Sequence, residues 1–153
     1  MVRRVQRPAD KEHLLKQLEK GKDDGIFSTE VEALIFAAAL GASREESKPL
    51  GKALPGLVYE LFSNKTDVDA LFYMLGIART GDLSLLKEGQ TDERVRAFEE
   101  YANAGLEILQ KEMKATGQTP RQVVVNLILR AKDAPKGEGQ IDLEYIAKEY
   151  GLR

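Results

Sequence analysis

Apolar residues recur along most of this chain at intervals of three and four, which places them on single helical faces. Leu14, Leu15 and Leu18 share such a face. Pro8 ahead of them suits the first turn of a helix that Gly21 would stop. Thr29 and Glu32 have capping-box spacing, so a second helix is expected from there to a C-cap at Gly41. Inside it residues 33–40 read ALIFAAAL, apolar on nearly every side, which suits a helix in the middle of a fold.

The same spacing returns in Val68, Leu71, Phe72 and Leu75, with Thr66 or Asp67 as cap and Gly81 as stop. After a short turn through Leu83, Leu85 and Leu86, Thr91 is placed to cap the longest helix, which Gly117 ends. Asp92 and Glu93 favour the positive end of its dipole. Val95, Phe98, Ala102, Leu106, Leu109 and Met113 form one seam along it, thinned by Ala102 and Gly105, where a second backbone could come close. Thr119-Pro120 starts a further helix with Val123, Val124, Val125, Leu127, Ile128 and Leu129, expected to be largely buried. A final amphipathic helix is expected from Leu143, Ile146, Ala147 and Tyr150, capped by Asp142.

Two stretches break the helical pattern. Residues 2–6 alternate apolar and basic positions, as a short edge strand or extended arm would. Residues 57–62 mix β-favouring Val58, Tyr59 and Phe62 with helix-favouring Glu60 and Leu61; a strand paired with the arm is the reading adopted. Residues 43–56 hold Pro49, Gly51, Pro55 and Gly56 and read as a loop bearing mobile charge at Arg44, Lys48 and Lys52. The expected fold is mainly α: one domain over 1–153, a compact bundle of about six helices with a short two-stranded β element. Residues 1–7 form its basic arm and 135–153 its C-terminal extension helix.

Composition narrows the chemistry. The chain has no cysteine, which removes disulfides, thiolate metal sites and cysteine nucleophiles. With 42% hydrophobic and 31% charged residues it is of ordinary globular type, and a net charge of -2 gives no overall attraction to nucleic acid. The N-terminus MVRRVQRP lacks an apolar stretch after its arginines, and the longest apolar run, residues 33–40, falls far short of the roughly 20 residues that span a bilayer. A cytoplasmic protein without membrane contact is expected.

Candidate reactive groups are few. The one histidine, His13, sits among charged residues, and no nucleophile elbow, Walker loop or dinucleotide fingerprint accompanies it. The acid pairs Glu45-Glu46, Asp67-Asp69 and Glu99-Glu100 could bind a metal ion or move protons, but Glu- and Lys-rich helix faces are usually solvated surface, and that is the expectation. No metal site, cofactor or catalytic residue is therefore expected. Arg3, Arg4 and Arg7 form a positive tip that could grip phosphates, with Arg44 and Lys48 as further DNA-binding candidates. Arg94, Arg96, Arg121 and Arg130 would enlarge this patch only if their helices faced the same way. Phe98, Tyr101, Ala102 and Gly105 are candidates for a partner or self-association surface, with packing inside the chain as the competing reading.

Two blocks carry a family resemblance. Residues 26–42 read IFSTEVEALIFAAALGA and residues 98–109 read FEEYANAGLEIL, with Asp92-Glu93-Arg94 just ahead of the second. In this order they resemble the DNA phosphorothioation-associated family called dnd-system-associated protein 4, over residues 3–131; Ala104 stands where glycine is common in that family. The resemblance implies a prokaryotic source and association with machinery that replaces a non-bridging phosphate oxygen of DNA with sulfur. Its implied partners are the other proteins of that system, which perform the sulfur transfer; a chain without cysteine cannot carry a persulfide. The resulting expectation is a non-catalytic accessory protein, acting as adaptor or DNA-proximal factor. A small DNA-binding regulator that uses the basic arm, and a carboxylate-based metal enzyme, are the alternatives. DNA contact and homo-oligomerisation stay open.

Overall fold

A computed structural model of the chain describes residues 3–19, 25–63 and 68–133. Gly21, Thr66, Asp67 and the expected extension helix of 135–153 lie outside the described residues. The chain opens with strand β1 (Arg4–Pro8), a 3-10 turn (Ala9–Lys11) and helix α1 (Glu12–Leu18). Helix α2 (Glu30–Ser43), strand β2 (Ala53–Val58) and the single-turn helix α3 (Glu60–Ser63) follow. Then come α4 (Val68–Thr80), a second 3-10 turn (Leu83–Leu86), α5 (Thr91–Thr116) and α6 (Pro120–Asp133). The mainly helical fold with one small sheet is the one the hydrophobic pattern predicts.

The centre of the fold is the crossing of α2 and α5. A Cβ built on Gly105 would fall 1.8 Å from the carbonyl oxygen of Ala37, and one on Gly41 would fall 2.2 Å from that of Tyr101. Residues 37 and 41 are one turn apart on α2, as are 101 and 105 on α5, so each helix presents a glycine to the other's backbone. Gly41 is therefore an interior contact and not the expected C-cap; α2 continues to Ser43. Its N-terminus follows expectation, because the Thr29 side chain accepts from the Glu32 amide at 3.2 Å.

Around this crossing the core closes with aromatic rings. Phe62 of α3, Phe72 of α4 and Phe98 of α5 are fully buried, with centroids 4.5 Å apart for Phe72–Phe98 and 5.5 Å for Phe62–Phe98. This cluster explains why residues 60–63 depart from the expected strand: a helical turn delivers Phe62 edge-on against the stacked pair of Phe72 and Phe98. β2 instead begins within the expected loop, at Ala53, and pairs antiparallel with β1. Pro55 and Gly56 are accepted there because the sheet has only two strands, each with a free outer edge.

Three further expectations are corrected. Pro8 ends β1 and does not open a helix, since it pairs with Ala53. Thr91 is the first residue of α5 and not its cap; its hydroxyl accepts from Arg94 instead. α6 is only half buried. Val123, Val124 and Leu127 face the core, while Val125, Ile128 and Leu129 are 40%, 51% and 51% exposed, because α6 packs mainly on α5 and α1 along one face.

Alanine in place of glycine inside a helix normally gains about 1 kcal/mol. Here Gly105→Ala and Gly41→Ala are each expected to destabilise by at least about 1–3 kcal/mol, since the Cβ meets fixed backbone. The double variant should cost less than the sum, because one separation of the helices relieves both clashes. Denaturant unfolding of the three variants measures this, and a stabilised Gly105→Ala protein would contradict the close approach.

Candidate functional site

α5 places a row of polar side chains in the interior: Arg94, Glu99, Glu100 and Asn103 are all less than a tenth exposed. Burying charge is costly unless each group finds partners. Each of these does, in segments that surround α5.

Arg94 donates through Nη1 to the carbonyl oxygens of Leu85 at 2.7 Å and Lys87 at 3.2 Å, and through Nη2 to the Thr91 hydroxyl at 3.2 Å. Its guanidinium carbon lies 4.2 Å from the centre of the Tyr73 ring, a cation–π contact. Arg94 thus ties the 83–86 turn and α4 to α5. The turn's Leu85 points inward and is 4% exposed, while Leu83 and Leu86 point out at 68% and 55%.

Glu99 holds the sheet. The β1–β2 register shifts between Val5 and Arg7, which leaves the Gln6 amide out of the ladder; Glu99 Oε2 accepts it at 2.5 Å. Glu99 Oε1 accepts from Arg3 at 2.9 Å. Burial pushes the Glu99 carboxyl above its ordinary value, against the opposing pull of the Gln6 amide and Arg3. Glu100 is directed elsewhere and pairs with Arg79 of α4. The two acids expected as solvated surface are therefore interior clasps, and they do not converge on a common point.

Asn103 joins the third segment. Its Oδ1 accepts from the buried ammonium of Lys11 at 3.2 Å, and its Nδ2 donates to the carbonyl oxygens of Lys48 at 3.3 Å and Pro49 at 3.1 Å. Lys48 adds a backbone bond to the Glu100 carbonyl at 3.0 Å and an ion pair with Glu107 at 2.6 Å. That pair raises the Lys48 value and lowers that of Glu107. The loop expected to carry mobile charge is held to α5 at Lys48.

The candidate DNA-binding residues divide accordingly. Arg3 pairs with Glu99 and, at 3.3 Å, with Asp92; Arg7 pairs with Glu30 at 2.6 Å and donates to the Pro55 carbonyl. The basic arm is thus a paired strand and not a loose tip. Arg4 donates to the Gly56 carbonyl at 3.0 Å. Arg4 and exposed Arg44 have no carboxylate partner among the described residues. Arg94 is interior, Arg96 pairs with Glu93 and Arg130 with Glu112, so these arginines form no common basic face.

Phe98, Tyr101, Ala102 and Gly105, the candidate partner surface, are buried, with Phe98 in the aromatic cluster and Gly105 against Ala37. The α2 crossing occupies that seam, which corrects its reading as an exterior surface. His13 is exposed on α1 beside a cavity of 340 Å³ that Asp10, Gln17, Gln110 and Lys114 also line. Among the described residues no three His, Cys, Asp or Glu side chains are grouped to hold a metal, and no helix is long and apolar enough to cross a membrane. What sequence reasoning missed is the interior row on α5 and the outward apolar groups. Arg94, Glu99 and Asn103 fall near the seam at helical spacing, and that was the signal available.

A family model described as DNA sulphur modification system-associated protein 4 matches residues 4–146. The match extends past residue 131, where the likeness in the sequence was expected to end. No curated protein and no solved structure matches the chain.

The raised Glu99 value has a measurable consequence. The unfolded carboxyl titrates near 4.5 and the folded one above it, so the folded state takes up the proton first. The contribution of Glu99 to stability therefore declines as pH rises from 4.5 through the raised value. Glu99→Gln lacks that decline and should gain on the native chain across this window in urea titrations. A difference that stays flat, or runs the other way, refutes the assignment.

Proposed function

Because the chain belongs to the family of DNA sulphur modification system-associated protein 4, we infer that it serves a DNA phosphorothioation system as a non-catalytic adaptor, holding a protein partner in place with no turnover of its own. The observation that carries this reading is the 83–86 turn. Leu83 and Leu86 are three residues apart on a 3-10 turn, where such side chains eclipse one another on one face. Both are more than half exposed, and the buried Arg94 fixes the backbone beneath them. A rigid pair of outward leucines is suited to fill a small apolar pocket on another protein, because little ordering entropy remains to be lost on binding.

The interior row supports the same reading. Arg94, Glu99, Glu100 and Asn103 hold the 83–86 turn, β1, α4 and the loop at residues 48–49, so most of their polar groups are engaged in architecture. The alternative of a DNA-binding regulator is weakened by the ion pairs of Arg3, Arg7 and Lys48 and would rest on Arg4 and Arg44. A carboxylate metal enzyme would need acids that meet. Glu99 and Glu100 face β1 and α4 respectively.

Leu83→Asp/Leu86→Asp alters exposed positions, so each substitution should shift stability by no more than about 0.5 kcal/mol. Co-purification of the system's sulfur-transfer and DNA-processing proteins with this variant should fall at least about tenfold. Native-level recovery of those proteins would remove the support for the adaptor reading. Arg4→Ala/Arg44→Ala should leave duplex DNA retention unchanged under this reading; weaker retention with a shallower salt dependence would favour the DNA-binding regulator instead.

A further inference from the structure

α6 stands away from α2 and leaves a groove of 180 Å³ between them. Phe36, Ala39 and Leu40 wall one side and Leu127, Ile128 and Ala131 the other, with Ser43 the one polar lining residue among those described. Ile128 is 51% exposed, so this face offers apolar surface to an occupant.

We propose that the groove is the docking site of the chain's own segment 141–150, which lies outside the described residues. Leu143, Ile146, Ala147 and Tyr150 recur at three- and four-residue spacing and supply a matching apolar face. The match extends to length. From Leu143 to Tyr150 is seven residue steps, as from Phe36 to Ser43 along the groove, or about 10 Å on a helix in either case.

The connection permits it. α6 ends at Asp133, two residues beyond Ala131 in the groove wall, and residues 134–140 intervene before the segment. Seven residues reach up to roughly 23–25 Å, more than twice the groove's length. Charge is compatible with this, because the segment's sequence holds Asp142, Glu144 and Glu149 while the last turn of α6 carries exposed Lys132. Tethering by so short a linker places the segment at an effective concentration on the order of millimolar, so modest apolar contact suffices. The family match runs to residue 146, so most of this segment belongs to the same unit as the helices. The proposal concerns a different face from the 83–86 turn and stands independently of the adaptor reading.

The absence of cysteine makes the test direct. Lys148→Cys gives the full chain a single attachment point for a nitroxide spin label. Amide NMR signals of Ala39, Leu40, Ile128 and Ala131 should be broadened beyond detection with the label oxidised and return when it is reduced. Adding Ile128→Glu, at a half-exposed position the fold tolerates, should restore those signals in the oxidised state. Unbroadened groove signals in the labelled chain, or broadening that survives Ile128→Glu, overturns the proposal. So does broadening that appears in a mixture of spin-labelled unenriched chain and isotope-enriched chain without the label, since a second copy would then fill the groove.

Discussion

The contact between α2 and α5 through Gly41 and Gly105 sets the geometry on which the other elements rely. Two helix backbones that meet at glycines come closer than side chains usually allow, and the approach is reciprocal, one turn apart on each helix. That distance fixes where Phe98 lies relative to Phe72 and Phe62, and so where α3 and α4 sit. It also accounts for α2 being apolar on nearly every side, since α5 covers one flank and α1 another.

With α2 fixed against it, α5 serves as the post to which the remaining segments are fastened. Interior burial strengthens each fastening, because a hydrogen bond or ion pair shielded from water gains in strength while an unmet group becomes expensive. Glu99 supplies an acceptor where the β1–β2 ladder skips Gln6, Asn103 serves Lys11 and two loop carbonyls at once, and Arg94 braces the 83–86 turn. These ties use polar side chains for connectivity, while Arg3, Arg7 and Lys48 are drawn into ion pairs. The surface features left to meet another molecule are then mainly apolar: the leucines of the turn and the groove between α2 and α6.

The helices were legible in advance wherever a side chain's neighbours along its own helix decide its environment. The 3.6-residue spacing identified α2, α4, α5 and α6, Thr29 marked the start of α2, and Gly117 with φ 68° marked the end of α5. Strand β2 was not legible to its start at Ala53, because Pro55 and Gly56 read as loop residues and only pairing with β1 makes them strand. Glu99 and Glu100 read as surface for a similar reason: their type favours water, and only the arrival of Arg3, Gln6 and Arg79 from distant positions makes burial tolerable.

The amino-acid sequence by itself determined the mainly helical class, the position of the long helices, the absence of thiol chemistry and the family blocks. All of these follow from residue identity and local spacing. Tertiary structure alone decided that Gly41 and Gly105 are contact points, that Arg3 and Arg7 of the arm are paired, and that Leu83 and Leu86 face outward while Leu85 does not. Those outcomes depend on which parts of the chain, tens of residues apart, are brought within a few ångströms, and the energy of a charge or a methyl group is set by that company and not by its neighbours in sequence.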